Sequence, residues 1–156
     1  MASWTSFEND APELAAKVRA RLEANLHHVM ATVRADGSPR VSGTEVRIWH
    51  DDLVLGSMWQ ARKALDLQRD ARVAIHTNPS DETMEGGDAR LDAVAVEVVG
   101  DANAEFYADD ESPPGPNHLF RLELHRVSLV EVDHEAARLI VTTWREGRGV
   151  TRVERD

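Results

Sequence analysis

Arg62 and Lys63 are the residues whose type and position most invite chemistry. They fall in the first turn of a short helix expected over Arg62–Arg69, directly after the loop Gly56-Ser57-Met58-Trp59-Gln60. Two cations at a helix start oppose the helix dipole, at about 0.3–1 kcal/mol each. An anion at that spot would meet both cations, the dipole and unpaired first-turn N–H groups, so a phosphate suits it. The alternative is a solvated face on which Arg62 pairs with Asp66 four residues on. Composition alone favours that second reading.

Other chemistries fit less well. His27 and His28 are neighbours in an extended stretch, so they point to opposite faces and cannot share an ion. His134-Glu135-Ala136-Ala137 opens like a zincin helix, but Arg138 stands where the second histidine belongs. His50, His76, His118 and His125 fall on different elements, and no metal site is expected. The chain has no cysteine, which excludes disulfides, iron–sulfur clusters, thiolate zinc and a cysteine nucleophile. There is no G-x-S-x-G elbow, Walker loop or G-x-G-x-x-G fingerprint, and no side chain is nominated as a general acid or base. Trp59 and Trp144 read as core fillers, dimer contacts or cofactor walls, with the first two favoured. Arg145, Arg148 and Arg152 read as surface charge or a second anion contact.

The elements that position these residues fit one domain over 1–156, with an N-terminal helix and lead-in over 1–26 and a barrel over 27–156. At 156 residues folding buries roughly 70% of the chain's surface, enough for a core without metal or disulfide. A net charge of −10 argues against nucleic acid or an anionic membrane as partner, since both need a basic stripe. Met1 to Asp10 holds no apolar run, so a cytoplasmic protein is the expectation.

Asp10-Ala11-Pro12-Glu13 reads as a helix start with Asp10 as N-cap. Leu14, Ala15, Val18 and Leu22 form the helix's apolar face up to about Asn25. From His27 the period becomes two, with Val29, Ala31 and Val33 alternating with His28, Met30 and Thr32. Asp36-Gly37 marks a hairpin, and Arg40–Trp49 is the return strand with Thr44, Val46 and Ile48 on one face. Leu53–Gly56 is a short third strand. The helix over Arg62–Arg69 turns Ala61, Ala64 and Leu65 inward. Arg72–Thr77 is a strand, Asn78–Asp92 a loop, and Ala93–Ala104 a long strand. Glu111–Asn117, with three prolines, reads as irregular surface. Phe120–Val132 changes phase midway, which a bulge near His125-Arg126 reconciles. Arg138–Trp144 closes the set. Six or seven strands with two helices, mostly antiparallel, invite closure into a barrel.

In order and spacing these segments resemble the pyridoxamine 5′-phosphate oxidase-like superfamily, whose fold is mainly β, an FMN-binding split β-barrel. The stretches that carry the resemblance are Ala31–Arg40, Leu55–Met58, Arg62–Leu67, Arg69–Ala74, Gly87–Leu91 and Trp144–Gly149. The resemblance implies a homodimer with cofactor sites at the subunit interface. It implies that Arg62 and Lys63 hold the cofactor phosphate, that Ser57 adds a hydroxyl, and that Val41–Glu45 runs along the isoalloxazine ring with Ser42 and Thr44 near it. Trp144 from the partner subunit would border the ring.

Two departures bear on activity. The arginine-x-x-leucine-leucine-lysine segment of true pyridoxamine phosphate oxidases is replaced by Val41-Ser42-Gly43-Thr44-Glu45-Val46, and their C-terminal basic motif is absent. Vitamin B6 oxidation is therefore not the expected reaction. The short format is similar to actinobacterial members, some of which use coenzyme F420 in place of FMN. The resemblance implies an FMN-dependent oxidoreductase acting on a small molecule, with an F420-dependent reductase or a non-catalytic flavin carrier as alternatives.

Overall fold

A computed structural model describes residues 1–108 and 115–156. Helix α1 (Trp4–Asp10) leads into α2 (Pro12–Glu23), then β1 (His27–Val33), β2 (Pro39–Trp49) and β3 (Asp52–Met58). Helix α3 (Arg62–Arg69), β4 (Arg72–His76), β5 (Asp88–Glu97) and α4 (Asp101–Ala108) follow. The long β6 (Asn117–Asp133), β7 (Arg138–Arg145) and β8 (Gly149–Arg155) complete the set. Every pairing is antiparallel, in the order β3-β2-β1-β4-β5-β6-β7-β8, and an added β3–β6 pairing closes the first six strands into a barrel. The mainly β split barrel expected from the sequence is the fold observed.

Strand β6 holds the architecture together. Its first part, Asn117–Leu122, pairs with β3, and Arg126–Asp133 pairs with β7. Between them Ala2 exchanges two backbone hydrogen bonds with Leu124, of 2.9 and 2.8 Å. The chain start thus occupies the split, and α1 lays Trp4 and Phe7 over it. The register shifts where Asp92 meets Arg126 but Ala93 meets Leu124, so His125 is the extra residue and the expected bulge is there.

Several expectations are corrected. There are eight strands and four helices among the described residues. Asp10 ends α1, and the N-cap of α2 is Ala11, which offers no side-chain acceptor; the predicted face Leu14, Ala15, Val18 and Leu22 is buried all the same. Strand β5 begins at Asp88, inside the stretch read as a loop, because Asp88–Asp92 pairs with Arg126–Val130. It ends at Glu97, and Gly100 at φ 69 turns the chain into α4, where the sequence read as strand up to Ala104. Most of Glu111–Asn117 falls on 109–114, outside the described residues, while Asn117 opens β6.

Strand β1 faces opposite to its valines. His28, Met30 and Thr32 are buried, whereas Val29 is 36% exposed. The inward polar groups all find partners. The His28 ring accepts the Asn78 N–H through Nδ1 (2.9 Å) and so donates from Nε2 to the Leu22 carbonyl (3.0 Å). Thr32 donates to Asp66 at 2.8 Å. No helix is long and apolar enough to cross a membrane among the described residues.

Candidate cofactor-binding site

On the outer face of β2 and β3 a cleft of about 350 Å³ opens. Gly43, Glu45 and Arg47 of β2 and Val54, Gly56 and Met58 of β3 supply much of its lining. Ala61 and Lys63 enter from the start of α3, Phe106 and Tyr107 from α4, and His27 from β1. Lys63 is the most constrained of these. Its Nζ donates to the Gly43 carbonyl at 2.8 Å, which holds the cation over the strand. Burial pushes its pKa down, with Glu45 pulling the other way; the site thus carries a partly desolvated cation to which an anion would restore a counter-charge.

The rest of the arrangement suits a ligand with a phosphate and a flat ring. Ala61 caps α3 without a side-chain hydrogen bond, so first-turn N–H groups remain for an outside acceptor. Ser57 is buried, and its hydroxyl has no hydrogen-bond partner among the described residues. Gly43 has a Cβ direction free of any atom of the described residues within 4 Å, and a glycine inside a strand marks where something approaches the backbone closely. Gly56 is the opposite case: a Cβ there would come within 2.6 Å of the Tyr107 hydroxyl, which donates to the His118 carbonyl at 2.7 Å.

Of the predicted site residues, Lys63, Ser57 and Thr44 meet at this cleft. Arg62 sits beside it, exposed, and Ser42 belongs to the inward-facing set of β2, outside the lining. Trp144 is elsewhere. It is fully buried in β7, with its ring 5.0 Å from that of Phe7, so it is part of the core under α1 and cannot border a bound ring. Asp66 does not pair with Arg62. Burial would push its carboxyl up, but hydrogen bonds from Arg40 (2.6 Å), Arg69 (3.0 Å) and Thr32 outweigh it and hold the pKa at about 2. This cluster ties α3 to β1 and β2, and with it Lys63 to the cleft.

The profile of the pyridoxamine 5′-phosphate oxidase family matches residues 14–131. The chain belongs to that family. The matched segment spans β1–β6, α3 and the cleft, and excludes α1 and the β7–β8 extension that holds Trp144. A search of curated proteins gives no match.

Solved structures resemble this pyridoxamine 5′-phosphate oxidase family member at identities that speak for the fold alone. A pyridoxamine 5′-phosphate oxidase-related, FMN binding protein from Nostoc punctiforme is 14% identical, with 100% of this chain and 98% of that one covered and a TM-score of 0.69. HutZ, the heme storage protein from Vibrio cholerae, is 22% identical over 77% of this chain and 94% of its own, TM-score 0.57. An F420 reductase is 19% identical over 70% and 94%, TM-score 0.56.

Sequence reasoning missed His27, Arg47, Phe106, Tyr107 and Asn117 in this lining, and included Glu45 only as the end of the stretch Val41–Glu45. For Phe106 and Tyr107 a signal existed: Gly100-Asp101 supplies a chain reversal and a first-turn acid, the start of a helix. For Glu45 and Arg47 the period-two alternation put them opposite Thr44 and Val46, and only the position of α3 and α4 shows that their face is the cleft.

Proposed function

We propose that this family member binds a phosphate-bearing flavin, FMN before coenzyme F420, and acts as an oxidoreductase on a small molecule. The observation that carries the reading is Lys63, partly desolvated at an uncapped helix start and held over the open backbone of Gly43. Hydride transfer is the chemistry such a cofactor supplies when bound. The chain's own part is to hold the phosphate with Lys63, Ser57 and the α3 amides, to seat the ring against β2, and to limit water beneath α4. The F420 reductase among the structural neighbours favours F420 as the second reading.

The test is an absorption spectrum of the purified protein, then titration with FMN, F420 and heme. Saturable FMN binding and turnover of an added acceptor support the proposal. F420 binding alone selects the second reading. Heme binding with no response to either flavin-type cofactor overturns the oxidoreductase reading, as does binding of nothing.

We propose that the outward face of β1 and β2 is the surface for a second copy of the chain. Val29, Ala31 and Val33 face out beside Val41, which is 71% exposed. Met58, 77% exposed, continues the apolar strip to the cleft's edge. Such a strip next to a cleft open to solvent reads as an interface that completes the site. Val41→Glu is expected to convert a dimer to monomer in sedimentation equilibrium and to weaken cofactor binding. An unchanged mass would remove this face from consideration.

A further inference from the structure

Behind the cleft lies a histidine that does not line it. His118, the second residue of β6, is 1% exposed and pairs in register with Ser57 of β3. Its Nε2 accepts the backbone N–H of Gln60 at 3.2 Å. That bond requires a bare Nε2, so the ring proton is on Nδ1, which meets Glu97 at 2.6 Å. The other oxygen of Glu97 accepts from Gln68 of α3 at 2.8 Å. Trp59 lies flat on the imidazole, with centroids 4.6 Å apart and planes 9° from parallel.

Gln60 has a left-handed backbone, φ 60, a conformation unfavourable for a residue with a side chain. It stands two residues before Arg62, so its torsions aim the first turn of α3. The His118 ring therefore grips the turn that feeds α3, and through Glu97 it grips the body of the same helix. Its backbone carbonyl also receives the Tyr107 hydroxyl that covers Gly56. One buried side chain thus links the helix start to the helix body, and the backbone of the same residue holds the side chain over the cleft floor.

We propose that His118 is a positioning residue for phosphate binding. With Glu97 it holds Gln60 in its strained conformation and so keeps the first-turn N–H groups of α3 and Lys63 aimed at an anion. The proposal rests on the reading of that helix start as a phosphate site. It predicts that His118 matters to the phosphate and not to the ring.

The test compares FMN with riboflavin, which shares the ring and lacks the phosphate, in wild type, His118→Leu and His118→Gln. Leucine fills the space without a polar atom; glutamine offers both an acceptor for Gln60 and a donor for Glu97. In His118→Leu, FMN affinity is expected to fall about tenfold, on the scale of one lost hydrogen bond. Riboflavin affinity should stay as in wild type, and His118→Gln should restore most of the FMN affinity. Amide hydrogen exchange at Gln60 to Lys63 should accelerate in the leucine variant while that of β1 does not. Unchanged FMN affinity, or equal losses for FMN and riboflavin, would overturn the proposal. If the wild type binds neither flavin, the functional reading fails instead. The exchange at Gln60 to Lys63 then decides the grip on the turn, acceleration supporting it and no change overturning it. If His118→Leu does not fold, Glu97→Gln loosens the same anchor while keeping side-chain size, and the same comparisons apply.

Discussion

Asp66→Ala is expected to destabilise the protein by about 3 kcal/mol, the low end for breaking a buried charge cluster. Asp66 is 3% exposed and receives Arg40, Arg69 and Thr32 at once. Its loss leaves the Arg40 guanidinium, 23% exposed, beside an empty acceptor site; Arg69 is more exposed at 41% and keeps its bond to the Val33 carbonyl, which holds the cost to the low end. Urea denaturation reads the change directly. A loss of about 1 kcal/mol or less, the scale of an exposed ion pair, would show that the cluster is not holding α3 to the barrel. The pH dependence has a fixed sign. The folded pKa, about 2, lies below the ordinary 3.8, so the unfolded chain takes up this proton first. The stabilisation from ionised Asp66 is complete above 3.8 and is lost as pH falls toward 2. Wild type and Asp66→Ala should therefore converge in stability across that window.

Lys63→Ala is expected to weaken FMN binding by roughly 10- to 100-fold, the range for losing a hydrogen bond to a charged group. Arg62→Ala should cost clearly less, because Arg62 stands exposed beside the cleft while Lys63 is fixed inside it by Gly43. Calorimetric titration of the two single variants separates them. Equal losses, or a larger one at Arg62, would mean that the phosphate sits outside the cleft. Because burial lowers the Lys63 pKa from 10.5, the free protein loses this cation at a lower pH than an exposed lysine would. FMN affinity should decline with rising pH before 10.5 is reached, and the decline should be absent in Lys63→Ala.

Much of this was legible in the sequence where local signals and tertiary demands agree. Helix α3 runs from Arg62 to Arg69 as read, because its apolar spacing and its setting between β3 and β4 ask for the same thing. The hairpin at Asp36-Gly37 is likewise local: Gly37 takes φ 84, and Asp36 accepts the Ser38 N–H. The failures lie where partners distant in sequence decide. Alternation in β1 is plain, but which face is inward depends on Asn78, Leu22 and Asp66 satisfying His28 and Thr32. Asp66 looked like a surface acid four residues from Arg62 until β2 delivered Arg40 to it. Trp144 was placed at a ring by analogy, whereas Phe7 of the unexpected α1 claims it for the core. Strand β8 is exposed at every residue and carries no burial pattern that a sequence reading could detect.

The seam between β3 and β6 also bears on how the chain folds. Leu53 opposite Leu122 and Met58 opposite Asn117 join segments with two other strands and two helices between them in the chain. The hairpins β1–β2 and β2–β3 close short loops, whereas this pairing must wait until β4 and β5 have brought β6 around. Until then β3 and the first part of β6 stand as bare edges rich in leucine and valine, ready to accept a strand from another molecule. The order of closure therefore makes refolding yield fall with protein concentration, and the pair of edges that seals the barrel is also the place where two half-folded chains would join.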